Sequence, residues 1–173
     1  MIEGMILRAV YSEWLGRLEQ ELQPAFLQGK EECVQCGLCC ARRPCIPTPD
    51  ELKVIAEFLG MELEEAVRKY FVGDRLNSSD VEYVFPAKHA QEDIVGTYLH
   101  WRRTFDEGYC IFFDEEVRAC TIEAVKPASA RNQRCWVDSS DTGPVALESW
   151  SGVDIASYGI EKPVTGHTRS TNG

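Results

Sequence analysis

Cys33, Cys36, Cys39 and Cys40 put four thiols within eight residues, in the pattern C-x2-C-x2-C-C. No other feature limits as tightly what this chain can fold into. Two intervening residues let a tight turn aim both sulfurs at one centre, and two such turns in series present three thiolates around one point. Gly37 sits inside the run, where a residue without Cβ lets backbone amides approach the sulfurs. A single cysteine reads well as a small buried hydrophobe. Four in one run, flanked by polar Glu31, Glu32, Gln35, Arg42 and Arg43, read as ligands of a metal or cluster. Bacterial ferredoxins use the related run C-x2-C-x2-C-x3-C-P; here Arg43 stands where the fourth cysteine would be, and Cys40 and Cys45 are the additional thiols. Cys45 reads equally as a ligand or as a buried thiol.

The remaining cysteines are Cys110, Cys120 and Cys135, eight in all among 173 residues. The N-terminal stretch Met1 to Met5 has no basic region leading into an apolar core, so no signal peptide is read and a cytoplasmic location is expected. In a reducing compartment such a cysteine set points to metal binding or redox chemistry rather than structural disulfides. The chain carries 28 acidic against 18 basic residues, a net charge of -10. That balance argues against nucleic acid or an anionic membrane surface as a partner. No apolar run approaches the roughly 18 residues needed to span a bilayer.

Cys110 lies in the aromatic stretch Tyr109 to Asp114, and Cys120 in the stretch Arg118 to Ile122. Both read as short strands, with the polar stretch Asp114-Glu115-Glu116 as the hairpin loop between them. A hairpin centred on Glu115 sets Cys110 directly opposite Cys120, with Cβ atoms about 4.5–5.5 Å apart. That spacing suits two thiolates on one metal, and equally a disulfide. A one-residue slip would separate them.

These pieces together resemble the bacterial CxxCxxCC family of zinc- or iron-chelating domains. The resemblance runs from Cys33–Cys40 through Pro47 and Thr48–Glu51, then Cys110–Asp114, Cys120–Ile122 and Lys126–Arg131, over roughly residues 30 to 136. It implies a metal or iron–sulfur cofactor more firmly than a reaction; the motif is also similar to one in flagellin lysine methylases. Where the family pattern has a cysteine before the last arginine, this chain has Ala130, and Cys135 follows five residues on as a replacement from a displaced loop.

Around the cysteines the chain reads as an α+β domain, with three helices and a small antiparallel sheet about a cysteine-rich metal site. Residues 1–28 hold an amphipathic packing helix with Leu7, Tyr11, Trp14, Leu15, Leu18 and Leu22 on one face, ended or kinked at Pro24. The metal-binding domain spans 29–138, and 139–173 form a C-terminal extension with a polar, mobile tail from 161. Thr48, Pro49 and Glu51 open a second helix with a capping box and a proline at its first position. A third helix carries Leu63, Ala66, Val67, Tyr70 and Phe71. Residues 73 to 95 read as polar, and Gly96 to Arg102 as a strand that presents His100 as a candidate ligand or proton relay beside its plainer reading as a surface residue. His89 and His167 stand in polar segments with no partner motif.

The site residues expected are therefore Cys33, Cys36, Cys39, Cys40, Cys110, Cys120 and Cys135. Three evenly spaced thiols from one run favour an iron–sulfur cluster of the [4Fe–4S] type, serving electron transfer with a redox or protein partner or a cluster-dependent reaction. Structural zinc, with four closed thiolate ligands, is the alternative. A third reading is thiol-based redox or metal trafficking through the adjacent Cys39 and Cys40.

Overall fold

The computed structural model describes residues 2–28, 35–42, 45–76, 80–131 and 143–163. Cys33, Cys135 and His167 lie outside them. The expected α+β class is found. In chain order the described elements are α1 (Ile2–Gln28), α2 (Leu38–Arg42), α3 (Pro49–Phe58), α4 (Leu63–Tyr70), β1 (Phe71–Arg75), β2 (Glu82–Pro86), β3 (Phe113–Asp114), β4 (Ala119–Cys120), α5 (Ala128–Arg131) and α6 (Gly143–Glu148), with short 3-10 turns between them. No helix among the described residues is long and apolar enough to cross a membrane.

The sequence-predicted helices form on the predicted faces. In α1 Leu18 is buried, and Leu7, Tyr11, Trp14, Leu15 and Leu22 are partly so. This helix continues through Pro24 to Gln28 rather than ending there. In α3 the capping box is complete: Thr48 Oγ1 accepts from the Glu51 amide at 3.2 Å, and the Glu51 carboxylate accepts from the Thr48 amide at 2.9 Å. Leu52, Ile55 and Ala56 form its buried face.

Two segments depart from expectation. Phe71 opens β1 directly at the end of α4 instead of closing the helix, and β1 pairs antiparallel with β2, with Phe71 opposite Pro86 and Gly73 opposite Val84. All five β2 residues are buried, so this strand lacks the alternation that marks a strand with one wet face. Glu82 inside it is held by Arg75 at 3.1 Å and Lys162 at 3.0 Å. Lys162 and Glu161, whose amide donates to the Gly96 carbonyl at 2.7 Å, thus anchor the start of the expected tail. The strand expected over Gly96–Arg102 reduces to single bridges, Tyr98 to Gly73 and Thr97 to Glu161, before a 3-10 turn at Trp101–Phe105. Gly73 is required by contact: a Cβ there would lie 2.7 Å from Ile155 Cδ1 and 2.9 Å from Ile160 Cγ2.

Two apolar cores result. The larger joins α3, α4, β1 and β2 to Phe112, Ile122, Trp150, Ile155 and Ile160. The smaller gathers Leu18 of α1, Leu38 and Ala41 of α2, Tyr109 and Phe113, together with Cys36. Cys110 belongs to the first, and Cys40 packs against both. Cys36, Cys40, Cys110 and Cys120 therefore lie along the seam between the cores.

Candidate metal centre

The cysteine run turns on two residues with left-handed backbone, Gln35 (φ +51°) and Gly37 (φ +85°). A Cβ at Gly37 would stand 2.7 Å from Phe113 Cζ and 2.8 Å from Tyr109 Cε1. The bare glycine thus lets two aromatic rings, tilted 35° to each other with centroids 4.9 Å apart, lie directly on the run. Arg118 crosses over the Phe113 ring and donates to the Cys36 carbonyl. After Gly37 the chain becomes the helix α2. Adjacent side chains on a helix diverge by about 100°, whereas those of an extended chain point apart. Cys39 and Cys40 therefore line the same cavities.

Cys110 and Cys120 do come to the early run, by a geometry other than the one the sequence suggested. Cys120 pairs with Phe113, and Ala119 with Asp114, so Cys110 does not oppose Cys120. The turn is longer than expected: Asp114 Oδ1 accepts from the amides of Glu116 at 2.9 Å and Val117 at 3.2 Å, and Arg118 takes positive φ (+51°) before the chain returns. Cys110 lies beyond the two-residue strand, in a turn closed by the Phe113 amide on its carbonyl at 2.8 Å. Its own amide donates to the Cys40 carbonyl at 3.1 Å, which ties this segment to α2.

A cavity of about 30 Å³ is lined by Cys39, Cys40, Cys45, Cys110 and Cys120, with Phe112, Ile122, Lys126, Pro127 and Ala130. A neighbouring cavity of about 20 Å³ adds Cys36 and shares Cys39, Cys40, Cys120 and Lys126. All six described cysteines are thiols outside any disulfide. Cys45 thus takes its place on the wall, and Ala130 presents a methyl group at the position where the family pattern carries a cysteine. The two described histidines stand elsewhere: His89 bonds Glu92 at 3.2 Å and the Phe113 carbonyl at 3.1 Å, and His100 accepts from the Arg102 amide at 3.3 Å.

The loop holding Cys45 is clamped from three sides. Ser129 Oγ donates to the Ile46 carbonyl at 2.7 Å, and Trp150 Nε1 to the Pro47 carbonyl at 2.8 Å. The other oxygen of Glu51 accepts from the Ala128 amide at 2.8 Å, docking α5 and Ala130 against the start of α3. Lys126, whose ammonium bonds Glu123 at 3.3 Å, is the cation of the cavity wall. Its position was visible only as part of the Lys126-Pro127 pair.

Burial raises the Cys45 thiol from its usual 9.0 to about 12, with further rises from Cys120 and Cys39 and a lowering from Lys126. Cys110 is pushed well above 9.0, by burial first and then by Cys45. These thiols are neutral at pH 7 as they stand, and neutral thiols pack as apolar groups. No set of three or more His, Cys, Asp or Glu side chains among the described residues stands in an arrangement that could already hold an ion. The donor set fits a soft metal all the same: five thiols line the larger cavity, with no carboxylate or imidazole side chain on its wall for a hard cation.

Residues 32–146 match the family CxxCxxCC, described as "Putative zinc- or iron-chelating domain". The chain belongs to the CxxCxxCC family. Metal binding by its cysteine cluster follows at that level, with zinc and iron both open. No curated protein and no solved structure matches the chain significantly.

Proposed function

We propose that this CxxCxxCC domain holds an iron–sulfur cluster of the [4Fe–4S] type. Its thiolate ligands are drawn from Cys33, Cys36, Cys39, Cys40, Cys45, Cys110, Cys120 and Cys135. The reading that goes with it is one-electron transfer to a redox partner, or a reaction that depends on the cluster. One observation carries the proposal: five thiols from separate parts of the chain line one cavity, and a sixth lines the next. Four thiolates suffice for such a cluster, and three evenly spaced in one run, Cys33, Cys36 and Cys39, with the others remote is the arrangement that favours it over zinc. The buried aromatic and aliphatic wall of Phe112, Phe113 and Ile122 supports a cofactor kept from solvent, which is one way a protein tunes cluster potential.

Zinc is the second reading, favoured by size. A cavity of about 30 Å³ has room for a single ion once its thiols turn toward it, whereas an eight-atom cluster requires its walls to open. Anaerobic purification followed by metal and sulfide analysis and an absorption spectrum separates the two. The iron–sulfur reading expects a brown protein with iron and acid-labile sulfide in equal amounts. Colourless protein with stoichiometric zinc, unable to take up iron and sulfide, replaces it with the zinc reading.

A further inference from the structure

Away from the cysteines, a second cavity of about 470 Å³ is lined by residues of α1, β1, β2 and the 3-10 turn at Trp101–Phe105. Its volume falls within the roughly 300–1,000 Å³ of small-molecule sites. Phe85, Leu99, Trp101 and Phe105 contribute apolar wall, and Lys88 lines it as well. Lys88 is only 3% exposed. Its ammonium donates to Tyr11 Oη at 3.0 Å and to the Asp106 carbonyl at 2.8 Å, both neutral acceptors. It also lies 4.6 Å from the centre of the Tyr11 ring. An ammonium has three donors; two are used in these bonds, and the Trp14 ring stands 5.8 Å away.

A buried cation without a counter-charge is costly, and a bound anion relieves that cost. Among the described residues no carboxylate forms an ion pair with Lys88. The other cations on the wall are already paired, Arg42 with Glu19 and Arg75 with Glu82. Asp74 is the wall's one carboxylate; it accepts from Tyr83 Oη at 3.1 Å and from the Arg75 amide at 2.8 Å. Asp106 and Glu107 act on the Lys88 ammonium from nearby without forming an ion pair with it; a single such cation suits a monoanion better than a phosphate dianion, and the aromatic wall suits an apolar body. We propose that this cavity binds a small organic carboxylate with an aromatic or branched apolar body, its carboxylate on Lys88 Nζ and its body against Trp101 and Phe105. The proposal is independent of which metal the cysteines hold.

Calorimetric titration of the full chain, as purified with its metal, tests this with phenylacetate and isovalerate. The neutral amide phenylacetamide serves as the control for charge. Phenylacetate should bind at least about tenfold more tightly than phenylacetamide, the effect of one charge-assisted hydrogen bond. Lys88→Met, which keeps the bulk and removes the charge, should abolish that preference. If this variant does not fold, Trp101→Ala serves in its place: Trp101 is 48% exposed, and its loss should weaken phenylacetate about tenfold. Equal binding of acid and amide overturns the proposal. So does failure of both carboxylates to bind wild-type protein at about 10 mM, or an unchanged preference in folded Lys88→Met.

Discussion

Cys45 and Cys110 bring the chemistry of the site down to protons. A metal takes the thiolate, yet burial holds both groups protonated: Cys45 to about 12 and Cys110 well above its usual value. Metal loading at pH 7 must therefore expel protons, and titration in buffers of different ionisation enthalpy should record that release. The same shifts set the alkaline stability of metal-free protein. The unfolded chain loses the Cys45 proton near 9 while the native chain keeps it to about 12. Stability from this group is complete below pH 9 and is lost as pH rises toward 12. Lys88 works in the opposite sense between about 8 and its usual 10.5, because burial lowers its folded value. The Cys45→Ala variant isolates the thiol: its denaturation midpoint should fall less steeply with pH above 9 than that of wild type. A second residue-scale test uses Ala130, whose methyl already lines the cavity. Ala130→Cys should raise metal affinity in competition with a chelator, and unchanged affinity would show that this wall position lies beyond reach of the metal.

Glu51 shows how one element positions the site. Its two oxygens serve two jobs, capping α3 at the Thr48 amide and holding the Ala128 amide of α5. Glu51→Ala should cost about 1–2 kcal/mol by chemical denaturation, the range of a lost cap with its tether. The cap itself was legible from Thr48, Pro49 and Glu51 because a capping box is a local pattern. The tether to Ala128 was not, since nothing local records it. The hairpin of Cys110 and Cys120 divides the same way. Two cysteine-bearing β-prone stretches around an acidic turn announce a hairpin, but its register depends on Asp114 capping two amides and on Arg118 adopting positive φ, which an arginine rarely does. β2 was missed because a strand buried on both faces has no period to read. Gly37 was placed correctly in the run, but its stronger reason, the rings of Tyr109 and Phe113 against its α-carbon, comes from residues distant in sequence. Gly37→Ala, with a positive φ and a contact below 3 Å to relieve, should cost about 2 kcal/mol or more and lower metal retention with it.

At the scale of the molecule, Cys36, Cys40, Cys110 and Cys120 sit where two cores meet. The larger core contains β1, β2 and Trp150; the smaller is made of α1, α2 and the aromatic pair Tyr109 and Phe113. Cys36 lies in the smaller core and Cys110 in the larger, while Cys40 touches both. A metal joining these thiols would cross-link the two cores, so its binding free energy adds to the stability of their contact. Chelation should lower the melting temperature by about 10 °C or more, as loss of a ligand held about a thousandfold above its Kd would. The loss should also be uneven. The β1–β2 ladder is backed by α3, α4, Ile155 and Ile160 and needs no cysteine to close it, whereas α2 is short and leans on Gly37, Phe113 and the Cys110–Cys40 backbone bond. Hydrogen exchange on metal-free protein should therefore show lost protection at the Ala41 and Cys110 amides while those paired in β1 and β2 stay protected. Equal loss across both cores would mean that the metal supports the whole fold rather than its seam, and no loss in either would remove the cross-link altogether.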